Sequence, residues 1–178
     1  MSMQYLHKIR AVLLVVLLAS TAVKADDSVL DDIKSVYIYN FLSFIEWPGS
    51  SAPVDGQYLL CANAEKAFID RLSQVVKNEK VNGLPIKVVS LSDAVSADAC
   101  QLLYLQEGIK QDSRLLSELK TKGVLLVGES SSFVSSDIGM IGFETRGRKV
   151  RVAVNLTNLQ EAGFKVSSKL LRVVRIER

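Results

Sequence analysis

The sequence Tyr58-Leu59-Leu60-Cys61-Ala62, followed by the helical pattern of residues 64–77, decides the fold class. The first segment is short and apolar throughout, as is typical of a strand buried on both faces of a sheet. In the second segment, apolar residues such as Phe68 and Leu72 recur at three- and four-residue steps, which predicts an amphipathic helix. A buried strand followed at once by a helix is the opening unit of an α/β fold.

The alternation of strand and helix continues along the chain. Further strands are predicted at residues 86–91, 102–105 and 124–127, and a further helix at 112–121, which ends before Gly123. Strands separated by helices pair in parallel, and the helices then cover both faces of the sheet.

The pattern changes in the last third of the chain. Strand-like segments at 140–145 and 149–154 flank Arg146-Gly147-Arg148, which predicts an antiparallel hairpin. We therefore predict one α/β domain over residues 26–178. It is a three-layer α/β/α sandwich with a mostly parallel sheet and a C-terminal antiparallel hairpin.

A helix rich in aromatic residues is predicted over residues 28–46, with Ser28 as its N-cap. Trp47-Pro48 ends this helix, and a loop follows at 49–56. Large rings lie on more than one side of the helix, so some of them belong to the core. Tyr39 and Trp47 either join that core or lie on a surface that binds a partner protein, where aromatic residues are favoured anchors.

Two short helices are predicted near the C-terminus. Asn155 caps the first, which extends through Ala162. Ser167 or Ser168 caps the second, whose apolar residues are Leu170, Leu171, Val174 and Ile176.

The first 25 residues have the three zones of a secretory signal. Lys8 and Arg10 precede the apolar run 11–19, and small residues lead to a cleavage site after Ala25. The apolar run is shorter than the roughly 20 residues that span a bilayer, which favours a cleaved signal over an uncleaved anchor. We therefore expect the mature domain to work outside the cytoplasm, in the periplasm.

Removal of this segment makes the mature chain neutral, because it takes away three of the 22 basic residues and none of the 19 acidic ones. The charge therefore gives no indication of nucleic-acid binding. The one histidine, His7, lies in the same segment. Its loss removes histidine-based nucleophilic catalysis and most zinc, copper and iron sites. We predict a protein that is not an enzyme and holds no metal or cofactor, and the alternative is a hydrolase that uses a pair of carboxylates brought together by the fold.

Two cysteines, Cys61 and Cys100, remain in the mature chain. An oxidising compartment favours a disulfide between them, with free or intermolecular thiols as the alternatives. Redox enzymes usually keep their cysteines two residues apart, so a catalytic dithiol is not indicated.

A serine cluster is one candidate for binding. Ser130, Ser131 and Ser132 follow the predicted strand 124–127, where open α/β sheets bind ligands, and their amide and hydroxyl groups suit an anion. A plain polar connection is the alternative, because the sequence lacks a phosphate-loop or dinucleotide motif.

A basic cluster is the other candidate, and its members are Arg146, Arg148, Lys149 and Arg151 at the predicted hairpin. They suit electrostatic contact with an acidic partner. The alternative is a solvated edge strand whose charges prevent aggregation.

Residues 35–48 contain Tyr37-Ile38-Tyr39-Asn40-Phe41 and end in Glu46-Trp47-Pro48. This segment resembles the signature of the YfiR family of periplasmic proteins. The C-terminal segments 139–143, 154–156, 162–164 and 167–171 resemble the terminal block of that family in order and spacing. Cys61 and Cys100 lie where the family's common cysteine pair is expected. Some members have a second pair, and residues 135–142 here contain none.

The resemblance implies a repressor that binds the periplasmic sensory domain of an inner-membrane diguanylate cyclase and keeps cyclic-di-GMP synthesis low. It also implies a homodimer, and sequestration by an outer-membrane lipoprotein. The alternative from the residues is a periplasmic small-ligand-binding protein that serves another envelope or transport system.

Overall fold

The computed structural model describes residues 28–51, 53, 56–92 and 96–177. The predicted signal, residues 1–25, lies outside these ranges. The helices are α1 (28–44), α2 (Lys66–Val75), α3 (Ser113–Thr121), α4 (Ser131–Val134), α5 (Leu156–Glu161) and α6 (Ser168–Leu171). The strands are β1 (Ile45–Glu46), β2 (Tyr58–Asn63), β3 (Lys80–Val81), β4 (Leu84–Ser90), β5 (Leu102–Leu105), β6 (Leu125–Gly128), β7 (Ile141–Arg146), β8 (Lys149–Asn155), β9 (Lys165–Val166) and β10 (Arg175–Glu177). Across these described ranges, none of the helices has the length and apolar character that a bilayer crossing requires.

One sheet organises the described part of the chain, with its strands in the order β10-β8-β7-β6-β5-β2-β4-β3. The strands from β7 to β4 in this order are parallel to their neighbours. At the two ends, β8 runs antiparallel to β7, and β3 runs antiparallel to β4. The predicted α/β class, with a mostly parallel sheet and a C-terminal antiparallel hairpin, is confirmed.

Helices cover both faces of this sheet. On one face, Phe41 of α1 stacks on Phe143 of β7, with ring centroids 6.0 Å apart. Gly142 precedes Phe143 in the strand and therefore points to the opposite face. A Cβ atom at Gly142 would lie 3.0 Å from Cγ2 of Val134, which places α4 on that opposite face. The three predicted layers are therefore present.

Helix α1 runs antiparallel to the central strands. Near its start, Lys34 pairs with Glu129, which directly follows the carboxyl end of β6. Just beyond its end, the indole of Trp47 donates to the carbonyl of Gln101, which directly precedes β5. The helix therefore connects the carboxyl-end edge of the sheet to the amino-end edge.

Two predicted helices end earlier than the sequence analysis placed them. The first stops at residue 44, because Ile45 and Glu46 form β1 and pair with β9. The last stops at Leu171, and Arg175–Glu177 forms β10 beside β8. Placing Val174 and Ile176 in a helix was therefore wrong. Their spacing of two fits a strand, and the edge of β8 supplies hydrogen-bond partners that a helix would leave unused.

Strand β3 was not foreseen. It pairs with the start of β4 around Asn82-Gly83, whose φ angles are 52° and 82°. Positive φ at both positions is the requirement of the tight hairpin turn, and Asn-Gly is the sequence that meets it best. Strand β4 accordingly begins at Leu84, two residues before the predicted start.

Candidate functional site

A cleft of about 560 Å³ opens at the carboxyl ends of β5 and β6, beside the first turns of α1. Glu65 follows β2 and Gln106 follows β5, and both line this cleft. The chain leaves β2 toward β4 and leaves β5 toward β6, on opposite sides, so the strand order reverses between them. Ligands of open α/β sheets bind at such reversal points.

The cleft is richer in carboxylates than in cations. Its acidic lining residues are Asp31, Glu65, Glu107, Glu129 and Glu144, and its basic ones are Lys34 and Arg146. This balance matches a cationic ligand better than the anion for which the serine cluster was proposed. Among the described residues, no group of three or more His, Cys, Asp or Glu side chains is arranged to hold a metal ion.

The cleft is lined by a largely buried ion pair between Lys34 and Glu129, whose side chains are each 12% exposed. Glu129 also accepts hydrogen bonds from the Tyr104 hydroxyl and, at 3.1 Å, from the backbone N–H of Glu107. Burial, followed by the charge of Glu129, raises the pKa of Tyr104 far above its ordinary value. The phenol therefore stays protonated and donates to the carboxylate.

Asp31 lies 3.4 Å from the Lys34 ammonium group. Burial raises the pKa of Asp31 above its ordinary value, although Lys34 acts in the opposite direction. Asp31, Lys34, Tyr104 and Glu129 were not among the predicted site residues. A signal was available for Glu129, because a polar residue directly after a buried strand of a parallel sheet lies at the ligand-binding edge.

The serine cluster forms a one-turn helix at the rim of the cleft. The Ser130 hydroxyl caps α4 by accepting from the N–H of Phe133 at 3.1 Å, and it lies 2.9 Å from the Ser132 hydroxyl. Ser130 and Ser131 line the cleft. Their local role as a cap and connection accounts for part of the polar pattern that suggested a ligand.

The basic hairpin lies at the same edge of the sheet. Arg146 pairs with Lys149 across the turn, and Gly147 has a φ of 57°, which a tight turn requires. Arg146, Arg148, Lys149 and Arg151 are all exposed. The hairpin therefore presents a cluster of cations to solvent, as the sequence predicts.

Tyr39 and Trp47 differ in their surroundings. The Tyr39 hydroxyl donates to Glu79 at 2.9 Å, and this hydrogen bond raises the pKa of Tyr39. The Trp47 ring packs edge-to-face against Tyr58 and Phe164, with centroid distances of 5.8 and 5.9 Å. These contacts favour a core role for Trp47 over the partner-binding alternative.

The structure does not bring all the proposed partner-binding residues together. The hairpin lies at the carboxyl-end edge, and Trp47 lies beyond the opposite end of α1. At 1.5 Å per residue, the 17 residues of α1 separate these two edges by roughly 25 Å.

Cys61 of β2 is joined to Cys100 by a disulfide, with Cα atoms 5.9 Å apart. Both residues are buried. This bond connects β2 to the segment that enters β5, so it joins the two strands on either side of the reversal point. The predicted pairing of Cys61 with Cys100 is confirmed.

The chain was compared with known protein families and with curated proteins. The family model described as YfiR/HmsC-like matches residues 31–175. Among curated proteins, none matches the chain significantly. The family match extends from the first turn of α1 to the start of β10 and includes the cleft, the disulfide and the basic hairpin. The chain therefore belongs to the YfiR/HmsC-like family.

Proposed function

We propose that this protein is a periplasmic regulator that binds the sensory domain of an inner-membrane diguanylate cyclase and represses cyclic-di-GMP synthesis. Family membership over residues 31–175 is the observation that carries this proposal. The confirmed disulfide is consistent with an oxidising compartment such as the periplasm. The protein acts by binding and not as an enzyme.

The basic hairpin is the main part of the proposed contact surface. Its four exposed cations suit an acidic surface on the partner, where complementary charge raises the rate of association and selects the partner. Tyr39 lies on α1 and is proposed as a secondary contact. Trp47 acts indirectly, by anchoring the end of α1 against Tyr58 and Phe164. A homodimer and an outer-membrane lipoprotein that sequesters the protein remain parts of the proposal.

Deletion of this protein tests the proposal in cells. We expect higher cyclic-di-GMP and stronger surface attachment, and both should return to normal when the wild-type chain is supplied. A variant with Lys149→Glu and Arg151→Glu should fold but fail to restore repression. Unchanged cyclic-di-GMP after deletion, with the cyclase present and expressed, would contradict the proposal.

The cleft supports a second candidate function, the binding of a small cationic metabolite as a sensor input. Its position at the strand-order reversal and its excess of carboxylates are the observations that favour it. Native mass spectrometry with a panel of amines tests this candidate. Binding that is lost in Glu65→Gln/Glu107→Gln supports it, and no binding by the wild type contradicts it.

A further inference from the structure

The outer edge of β8 is only partly covered. Strand β8 pairs with β7 from Lys149 to Val154. On its other side β10 pairs only with Ala153, Val154 and Asn155. Between Lys149 and Val152, no strand in the described chain occupies the outer side of β8. This gap of four residues is about 13 Å long at 3.3 Å per residue.

Both backbone groups of Val150 and the N–H of Val152 face this gap. The N–H of Asn155 donates to the carbonyl of Met140 at 2.8 Å, so Asn155 directs its backbone groups toward β7. Successive residues of a strand direct these groups to alternate sides. Val154, Val152 and Val150 therefore direct theirs outward. Those of Val154 reach β10, as does the carbonyl of Val152, because the parallel pairing of Arg175 with Ala153 places the Arg175 N–H against it. Both groups of Val150 and the N–H of Val152 face the gap.

Beside the gap, the charged side chains lie on one face of the sheet and the valine side chains lie on the other. Directly paired residues share a face, so Lys149 lies with Arg146 and Arg151 lies with Glu144. Val150 and Val152 lie on the opposite face. The Glu144 carboxylate pairs with Arg175. Within the described residues, no carboxylate forms an ion pair with Arg146, Lys149 or Arg151.

We propose that the partner docks here by strand addition, placing an extended segment of alternating acidic and apolar residues along Lys149–Val152. Its backbone would bond to Val150 and to the N–H of Val152, its acidic side chains would meet Lys149 and Arg151, and its apolar side chains would cover Val150, which is only partly buried, whereas Val152 already lies in the core. This inference rests on the proposed function, because it identifies how the basic hairpin binds its partner. A second copy of this chain does not fit, because its own edge would bring like charges together.

A proline substitution separates strand addition from simple charge attraction. Val150→Pro removes an N–H that faces the gap, and proline is tolerated in a strand at such a position. We expect at least about tenfold weaker binding of the cyclase's periplasmic domain, the effect of losing one or two hydrogen bonds. Val150→Thr is the matched control, because it keeps the N–H and the strand preference, and should bind like the wild type.

Hydrogen exchange on the wild type provides a measurement that does not depend on how the proline variant folds. Bound cyclase domain should slow exchange of the Val150 and Val152 amides. Tight binding without this protection, or equal binding by a folded Val150→Pro variant, overturns strand addition and leaves the proposed function intact.

A synthetic peptide distinguishes failure of the edge from failure of the proposed function. A hexapeptide that alternates glutamate and valine should shift the amide resonances of Val150 and Val152, and one that alternates lysine and valine should not. If the cyclase domain does not bind but the glutamate peptide does, the proposed partner is wrong and the edge site stands. If neither binds at millimolar peptide, strand addition is wrong.

Discussion

Removal of the disulfide should strongly destabilise the domain. Cys61 and Cys100 are 39 residues apart in sequence, and the loop between them contains α2, β3 and β4. In the chain-entropy model, closing a loop of this length in the unfolded state contributes about 4 kcal/mol at 25 °C. For a domain of this size, that loss corresponds to a fall of about 8–16 °C in Tm.

The test is the double variant Cys61→Ala/Cys100→Ala, measured by urea and thermal unfolding. Alanine is chosen because both positions are buried and a serine hydroxyl there would lack a partner. Wild-type protein treated with a reductant is the control, because it loses the cross-link without losing the sulfur atoms. We expect both samples to lose similar stability. A loss below about 1 kcal/mol in both would refute the reasoning that the cross-link acts on the unfolded chain.

Three further substitutions test the cleft and the aromatic helix. The pKa of Tyr104 is raised in the folded state. The stability that this hydroxyl contributes is therefore fully present below pH 10, the ordinary pKa of tyrosine, and is lost as the pH rises above it. Tyr104→Phe should remove this contribution, which is about 1.4 kcal/mol in total between pH 9 and 11. Unfolding measured from pH 9 to 11 checks this, and equal slopes contradict it. Trp47→Ala should cost about 3–5 kcal/mol through lost ring packing, whereas Tyr39→Phe, which keeps the ring and loses one exposed hydrogen bond, should cost under about 1 kcal/mol. Similar small losses in both variants, together with lost partner binding in Trp47→Ala, would favour an interface role for Trp47.

Much of the fold could be predicted because its signals are local. Buried strands such as β2, β5 and β6 are continuous apolar runs, and the β7–β8 hairpin has a glycine turn between two strand-like segments. The predicted secondary structure was wrong where hydrogen bonds to a neighbouring strand determine the conformation. The conformations of Ile45 and Ile176 depend on β9 and β8, which provide the hydrogen bonds. Local periodicity does not contain that information.

The candidate site was only partly predictable for a related reason. The basic hairpin is contiguous in sequence, so its charges could be recognised directly. Lys34, Tyr104 and Glu129 come from α1, β5 and the end of β6, and only the folded sheet brings them together. The pairing of Cys61 with Cys100 could be predicted because two cysteines allow only one intramolecular bridge.

In the segment that carries the family resemblance, most of the aromatic side chains stabilise the fold. Tyr37 stacks on Phe41, and Phe41 stacks on Phe143 of β7. These contacts pack α1 against the sheet. Trp47 fastens the other end of the helix. Phe41 is fully buried, and Tyr37 and Trp47 are partly buried by these contacts. Of the signature residues, only Tyr39 is a proposed contact, and the main contact is proposed outside the signature, at the outer edge of β8 with its exposed cations and the backbone groups that β10 does not reach.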